Sequence, residues 1–362
     1  MLGLLVLGLT SIMIYTLVKN ALLGKQLSKN DPFNGTIELI IPVTPNTEFF
    51  LAAWQEKLNS FQFLPDQVKI HVLFDGHHSS MSDWQTLAST VPYLEIHCFP
   101  MRPTHVEPVA WILNQIAPKI NGQIVIIGDG DLVPTGYAFL SVAKTVAEKE
   151  RSYFIVPQTA KFNIIGEAIS VINPTLAFAS FFGFRKWRRN LTHPLLGISQ
   201  GWMAMTLETF KGLSFKSIKV ESWKEAVSKQ WDEQNKNYHL AFGEKNLLRF
   251  YPNDLKDLWQ KLHDDWGILW NKRDRMGFWL YLVALFLWSF PLVCLLTHPF
   301  WAIASFFLLI LYRFFSKIVF QESWSSIALH PVACIAWIGS LIWFVVDLLK
   351  AKNLSRKSRR VN

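Results

Sequence analysis

Both ends of this chain are apolar over lengths that a water-soluble fold seldom tolerates. Leu2 to Leu23 carries only small hydroxyls until Lys19 and Asn20, and about 20 such residues in a helix reach across the hydrocarbon layer of a bilayer. Phe278 to Leu296, Phe300 to Leu311 and Val332 to Leu349 are also nearly free of charge. Backbone polar groups in lipid must be paired within their own segment, so these stretches are constrained to be helices. The first and third of the C-terminal stretches have the length of a span. The middle one is shorter and follows its predecessor through Thr297-His298-Pro299, which predicts half of a tight helical hairpin or a re-entrant piece. The N-terminal stretch has no basic residues ahead of its apolar run and no small-x-small cleavage sequence, so it reads as an uncleaved anchor. A composition of 51% hydrophobic residues with 16 Trp and 28 Phe in 362 residues fits this division, with the aromatic excess localised.

Charge sets the expected orientation. Lys19, Lys25 and Lys29 lie at or just after the first anchor, and Lys272, Arg273 and Arg275 precede the next apolar stretch. By the positive-inside rule both flanks face the cytoplasm, and so does everything between them, which places the protein in the cell (inner) membrane. The organisation predicted is an anchor over residues 1–23, a cytoplasmic domain over 36–270, two or three membrane helices over 277–350 and a basic tail over 351–362. The tail, Arg356-Lys357-Ser358-Arg359-Arg360, also favours the cytoplasm, whereas three full C-terminal spans would put it on the other side. That conflict supports a re-entrant reading of one segment. Much of the net charge of +9 sits beside the apolar segments, which favours anionic lipid headgroups over nucleic acid as partner. Cys98, Cys294 and Cys334 have neither metal-ligand nor disulfide spacing and read as packing residues.

The middle of the chain alternates strand and helix patterns. Ile37 to Pro42 reads as a strand, residues 47–60 as a helix, Lys69 to Asp75 as a second strand and Tyr93 to Cys98 as a third, with a helix over Pro108 to Ile116. Ile124 to Ile127 is uncharged and shows no alternation, the pattern of a strand buried on both faces at the centre of a parallel sheet. Tyr153 to Pro157 continues the series, so an α/β, doubly wound sheet with flanking helices is expected. Asp75-Gly76 and Asp129-Gly130-Asp131 then fall at the carboxyl ends of strands, where such sheets bind ligands. Two acids leaving a buried strand are costly unless a cation meets them, most simply a divalent metal with bound phosphates. Turn formation is the alternative for both sequences, since Asp and Gly also serve turns. Ile164 to Phe184 leads into Arg185-Lys186-Trp187-Arg188-Arg189, a pattern suited to the headgroup layer, and residues 193–202 read as a loop. His77 and His78 are adjacent, a poor spacing for one ion.

These parts, in this order, resemble an inverting glycosyltransferase of the GT-A fold in the family-two group that includes cellulose synthases and ceramide glucosyltransferases. More narrowly they are similar to the membrane-bound branch of bacterial carotenoid (diaponeurosporenoate) glycosyltransferases. Phe74-Asp75-Gly76 stands where that family has the Asp-Gly that contacts the nucleotide base, and Asp129-Gly130-Asp131 where it has its metal-binding Asp-x-Asp. Val220-Glu221 stands at the segment carrying the catalytic carboxylate. Arg249-Phe250-Tyr251 and the stretch from Trp259 to Trp266 resemble the segment leading into the membrane. The resemblance implies Mg²⁺ or Mn²⁺ on Asp131 and Asp129, a nucleotide-sugar site that includes Pro42, Asp75 and Arg249, and Glu221 as general base for a lipid or other apolar acceptor. Asp232 and Glu233 are the runners-up for the base. The departures are Pro42-Val43-Thr44-Pro45-Asn46-Thr47-Glu48 in place of Pro-x-Arg-Asn-Glu, Glu107-Pro108 in place of a Gly-Lys pair, and Ser222 in place of the acid after Glu221. No Gln-x-x-Arg-Trp is present, which favours a single addition over repeated transfer. Two alternatives remain open: a catalytically weakened nucleotide-sugar-binding membrane protein, and a metal-dependent phosphoryl or nucleotidyl transferase.

Overall fold

Strand β5 (Ile124–Ile127) is buried at every position, and the sheet extends outward from it on both sides. The structure, a computed structural model, describes residues 2–23, 25–26, 33–43, 51–60, 67–76, 80–103, 105–128, 132–134, 138–156, 158–159, 201–216, 223–234, 238–242, 247–249, 255–270, 276–295, 298–320 and 324–361. The remaining strands of the large sheet are β1 (Lys25–Gln26), β2 (Ile37–Val43), β3 (Val68–Asp75), β4 (Leu94–Phe99), β7 (Ser152–Val156), β9 (Trp202–Thr206) and β10 (Tyr238–Phe242). They form an 8-stranded sheet in the order β1-β10-β7-β9-β5-β2-β3-β4. A second, 3-stranded sheet joins β6 (Leu132–Pro134), β11 (Leu247–Arg249) and β8 (Gln158–Thr159) in the order β6-β11-β8.

The large sheet is mixed, not wholly parallel. Strand β9 runs antiparallel to both of its neighbours, β5 and β7, while the other pairings are parallel. The expected loop over residues 193–202 therefore ends in a strand at Trp202. Trp202, Met203, Ala204 and Met205 are all buried and carry no charge, so β9 is an interior strand of the same kind as β5.

Side-chain alternation divides the strands between two cores. Ile124 and Ile126 of β5 point to one face, together with Leu39, Val72, Trp202 and Ala204. Helices α2 (Leu51–Ser60), α3 (Met81–Thr90) and α5 (Ala138–Lys149) cover that face through Trp54, Trp84, Leu87, Phe139 and Val142. Val125 and Ile127 point to the other face, beneath α4 (Pro108–Ile116), α6 (Leu207–Lys211) and α7 (Trp223–Glu233). The core on this second face runs without a break into a helical bundle made of α1 (Leu2–Leu23), α8 (Leu255–Trp270), α9 (Met276–Leu295), α10 (Pro299–Phe320) and α12 (His330–Val361); a short α11 (Trp324–Ala328) precedes α12.

Four of these helices are long and apolar enough to cross a membrane: Leu2–Lys19, Phe278–Leu295, Pro299–Ile318 and His330–Lys350. The short middle segment expected from sequence is thus a full helix of 22 residues, and the re-entrant reading does not hold for it. The apolar run appeared to stop at Leu311 because Arg313 and Ser316 follow. Both are turned into the bundle, at 1% and 0% exposure, and the helix continues past them. Helix α12 likewise continues beyond Leu349 and carries Arg356, Arg359 and Arg360 on the same 32-residue rod.

Candidate active site

Strands β2, β3, β4 and β5 are parallel, so their carboxyl ends lie along one edge. Pro42 sits near the end of β2, buried, with Leu73 as its partner in β3. The ladder from β5 ends where Gly128 N–H donates to the Ile40 carbonyl at 2.9 Å. Backbone groups alternate sides along a strand, so Pro42 faces β5 next with no N–H to donate, and the β2–β5 ladder ends there.

Asp75 closes β3. Gly76 follows at φ +80, a left-handed conformation that glycine adopts without strain, and its N–H donates to the Phe99 carbonyl at 3.1 Å. The Asp75 carboxylate accepts the backbone N–H of Arg102 at 2.9 Å on Oδ1, and Arg102 Nε approaches Oδ2 at 3.2 Å. Arg102 also donates from its guanidinium to the Val106 carbonyl at 2.9 Å, which folds the segment after β4 back over the sheet edge.

That segment ends on Glu107, the N-cap of α4. Its carboxylate accepts the Ala110 N–H at 2.6 Å, with Pro108 in the first turn. The Glu107 side chain keeps some exposed surface but is packed deep among protein atoms. Burial pushes its pKa up to about 7, against the opposing pull of the Ala110 and Val109 N–H groups, Arg102 and Lys224. Lys224, in the first turn of α7, is buried at 3% exposure with its ammonium 5.9 Å from the Phe154 ring centroid and 5.5 Å from that of Trp223. Arg102, Glu107 and Lys224 were not singled out as site residues from sequence. The Glu-Pro pair did mark a helix start, but burial of the acid was not legible.

Asp129, Asp131 and Glu221 lie outside the described residues, as do His77 and His78. The residues flanking the two aspartates are described. A Cβ on Gly128 would stand 2.6 Å from Nε1 of Trp202, so the chain passes over this indole only as glycine. Trp202 is stacked on Phe139 at 5.6 Å between centroids, and its Nε1 is buried without a hydrogen-bond acceptor. On the other side of the acids, β6 pairs antiparallel with β11, setting Arg249 opposite Leu132, the residue after Asp131. Thr159 of β8 lies opposite Arg249 on its other flank. The backbone register thus sets Arg249 beside Leu132, two residues far apart in sequence. Glu233 is exposed at the end of α7.

Among the described residues one group has the donors to hold a metal ion, and it is not the expected one. His71, Glu95 and His97 offer ligand atoms that all lie within 4.8 Å of one another. His71 and Glu95 lie opposite each other in the middle of β3 and β4, with His97 two residues further along β4, and His71 is about 13 Å along β3 from Asp75 at a strand rise of about 3.3 Å per residue. Glu38, near the start of β2, backs the group with Oε2 3.3 Å from His71 Nε2. Burial pushes the Glu38 carboxyl up, but His71 and the Asn121 and Gly122 N–H groups outweigh it and hold the pKa below the usual range. For Asp129 and Asp131 the donor chemistry by itself fits a hard divalent ion, since two carboxylates suit Mg²⁺ or Mn²⁺.

No protein-family model and no curated protein matches the chain. Several solved glycosyltransferases overlay on it loosely. The mannosyltransferase PcManGT of Pyrobaculum calidifontis, in complex with GDP-Man and Mn²⁺, aligns over 96% of this chain and 99% of its own at 12% identity and a TM-score of 0.46. TarS of S. aureus aligns over 82% of this chain and 55% of its own, at 11% identity and a TM-score of 0.41. Glucosyl-3-phosphoglycerate synthase of Mycobacterium tuberculosis, with Mn²⁺, UDP and glucosyl-3-phosphoglycerate, aligns over 66% of this chain and 80% of its own, at 16% identity and a TM-score of 0.40. At these scores the overlays carry no argument about chemistry, which rests on the residues themselves.

Proposed function

We propose that this chain is a membrane-bound inverting glycosyltransferase of the family-two type, moving a sugar from a cytoplasmic nucleotide-sugar donor to a lipid or other apolar acceptor. The observation that carries the reading is the backbone register at the carboxyl edge. Asp75 ends one strand there, the Asp129–Asp131 segment leaves another, and Arg249 is laddered to the residue after Asp131. This register supports a site in which three charged elements suited to a nucleoside diphosphate come from distant parts of the sequence.

In this reading Asp75, steadied by Arg102, meets the base of the nucleotide, and Pro42 forms the wall beside it. Asp129 and Asp131 hold Mg²⁺ or Mn²⁺, which when bound offsets the charge growing on the departing diphosphate. Arg249 meets the same phosphates. The unpartnered Trp202 N–H beneath Gly128 leaves a donor beside the entry to Asp129. Glu221 takes the proton of an acceptor hydroxyl attacking from the opposite face of the sugar, help worth on the order of 10²–10⁴-fold. An acceptor carboxylate, as in the carotenoid branch, arrives ionised and needs less of it. The sheet shares a core with helices long enough to cross a membrane, which suits an acceptor drawn from lipid.

The test uses full-length protein in detergent with UDP-, GDP- and ADP-sugars and a lipid extract. Metal-dependent nucleotide release and a lipid product heavier by one sugar are expected, and Asp131→Ala should abolish both. Release that survives this substitution would remove the reading, and a product carrying phosphate would favour a phosphoryl transferase.

A further inference from the structure

We propose that His71, Glu95 and His97 form a zinc site across the middle of strands β3 and β4, distinct from the acids at the carboxyl edge of the sheet. The argument is geometric. His71 Nδ1 and His97 Nε2 are 3.1 Å apart, His71 Nδ1 and Glu95 Oε2 3.4 Å, and His97 Nε2 and Glu95 Oε2 3.5 Å. Three ligands placed tetrahedrally around one ion at Zn–N and Zn–O lengths of 2.0–2.2 Å stand about 3.4 Å from each other. The three side chains already stand at that spacing around one centre.

Without an ion, His71 with its proton on Nε2 toward Glu38 can accept the His97 Nε2–H on Nδ1 at 3.1 Å, which leaves the Glu95 carboxylate facing two imidazoles with no N–H of its own. Neither Glu38 Oε2 nor His71 Nε2 makes a well-aligned hydrogen bond, although both residues are buried. With zinc on Nδ1, the neutral His71 carries its proton on Nε2 and directs it at Glu38, the carboxylate–histidine–metal relay common around zinc. Glu38 is fixed in turn by the Asn121 and Gly122 N–H groups, at 3.1 and 2.8 Å on Oε1.

Two imidazoles and one carboxylate favour a borderline ion such as Zn²⁺ over Mg²⁺ or Mn²⁺, so this group and the carboxyl-edge acids call for different metals. The Glu95 side chain is 45% exposed, which gives the ion a path in and leaves the fourth position to water. Strand β4 is the outer strand of the sheet, and the ion clips it to β3 and, through Glu38, to β2 and the turn ahead of β5. The sequence held a signal for this site: Glu95-Ile96-His97 puts two ligands on one face of a strand.

The test is metal uptake by full-length protein in detergent, stripped with chelator and titrated with Zn²⁺ alone, then with Co²⁺ as an optical probe. One equivalent of Zn²⁺, a higher melting temperature and a tetrahedral Co²⁺ spectrum are expected. Glu95→Ala and His97→Ala should each weaken binding at least tenfold and Glu38→Gln by about 10–100-fold, the range seen for residues behind a ligand. His71→Ala strands Glu38 in the core and risks misfolding, so the half-exposed Glu95 is the deciding position. Asp131→Ala should keep full Zn²⁺ uptake even where it abolishes sugar transfer, which separates this site from the transferase reading. Absence of stoichiometric uptake, or uptake unchanged in Glu95→Ala, would overturn the proposal.

Discussion

Arg102 holds Asp75 twice, through its own backbone N–H at 2.9 Å and through Nε at 3.2 Å. The two residues close adjacent strands, β3 and the segment after β4, so the contact fixes both the carboxylate and the loop that leads to Glu107. A carboxylate held this way keeps one orientation without a ligand, so the nucleotide base proposed to bind there would lose little to ordering.

Arg102→Lys keeps the charge but loses the planar guanidinium that reaches Asp75 and the Val106 carbonyl together. Charge-assisted hydrogen bonds contribute about 1.5–3 kcal/mol. We expect nucleotide affinity, measured by calorimetry with UDP and GDP, to fall about tenfold in Arg102→Lys and further in Asp75→Ala. Unchanged affinity in both variants would remove Asp75 from the donor site.

Glu107 makes stability depend on pH. Its folded pKa, about 7, lies above the ordinary 4.5, so the folded state binds the proton more tightly. The contribution is fully present below pH 4.5 and is lost as pH rises through 7. Glu107→Gln keeps an acceptor for the Ala110 N–H and cannot ionise. Thermal melts across pH 4.5–8 should show wild type losing stability relative to this variant over that window, with parallel curves above it.

Gly128 and Trp202 are coupled by shape. Gly128→Ala places a methyl group 2.6 Å from a fully buried indole nitrogen, and overpacking of this kind costs about 1–3 kcal/mol. Because Gly128 directly precedes Asp129, the strain falls on the acid segment. We expect a lower melting temperature and weaker Mn²⁺ dependence of nucleotide release. Gly128→Ala combined with Trp202→Phe should recover part of both, as the indole five-membered ring is what the methyl group meets.

Strands β3 and β5 were legible because each is a short, mostly apolar run that leads into Asp or Gly. Ile124–Ile127 and Val68–Asp75 fall where the pattern placed them. Strand β9 was not, since Gly201-Trp202 resembles loop chemistry and its four buried residues only acquire meaning between two other strands. Helix α10 was cut short at Leu311 because Arg313 reads as a terminator until a bundle interior receives it. The Asp75–Arg102 contact and the Arg249–Leu132 register are long-range pairings with no local signature. Glu95 and His97 did have one, an alternation within a strand, but their ligand geometry depends on His71 from the neighbouring strand.

Trp266 joins the helix that follows the sheet domain to the last of the helices long enough to cross a membrane. Helix α8 presents Leu258, Leu262, Trp266 and Leu269 inward at helical spacing, all at 3% exposure or less. Trp266 donates from Nε1 to Ser340 Oγ of α12 at 3.0 Å, and Ser340 donates to the Trp337 carbonyl at 2.9 Å. Ser340→Ala leaves the indole N–H buried without an acceptor, a loss of about 1–3 kcal/mol. Trp266→Phe removes the donor but also leaves space in the core, so each single variant should destabilise the detergent-solubilised protein. The double variant should cost less than their sum, because the second change removes no further hydrogen bond. Additive losses in thermal melts would mean that packing alone holds α8 to α12.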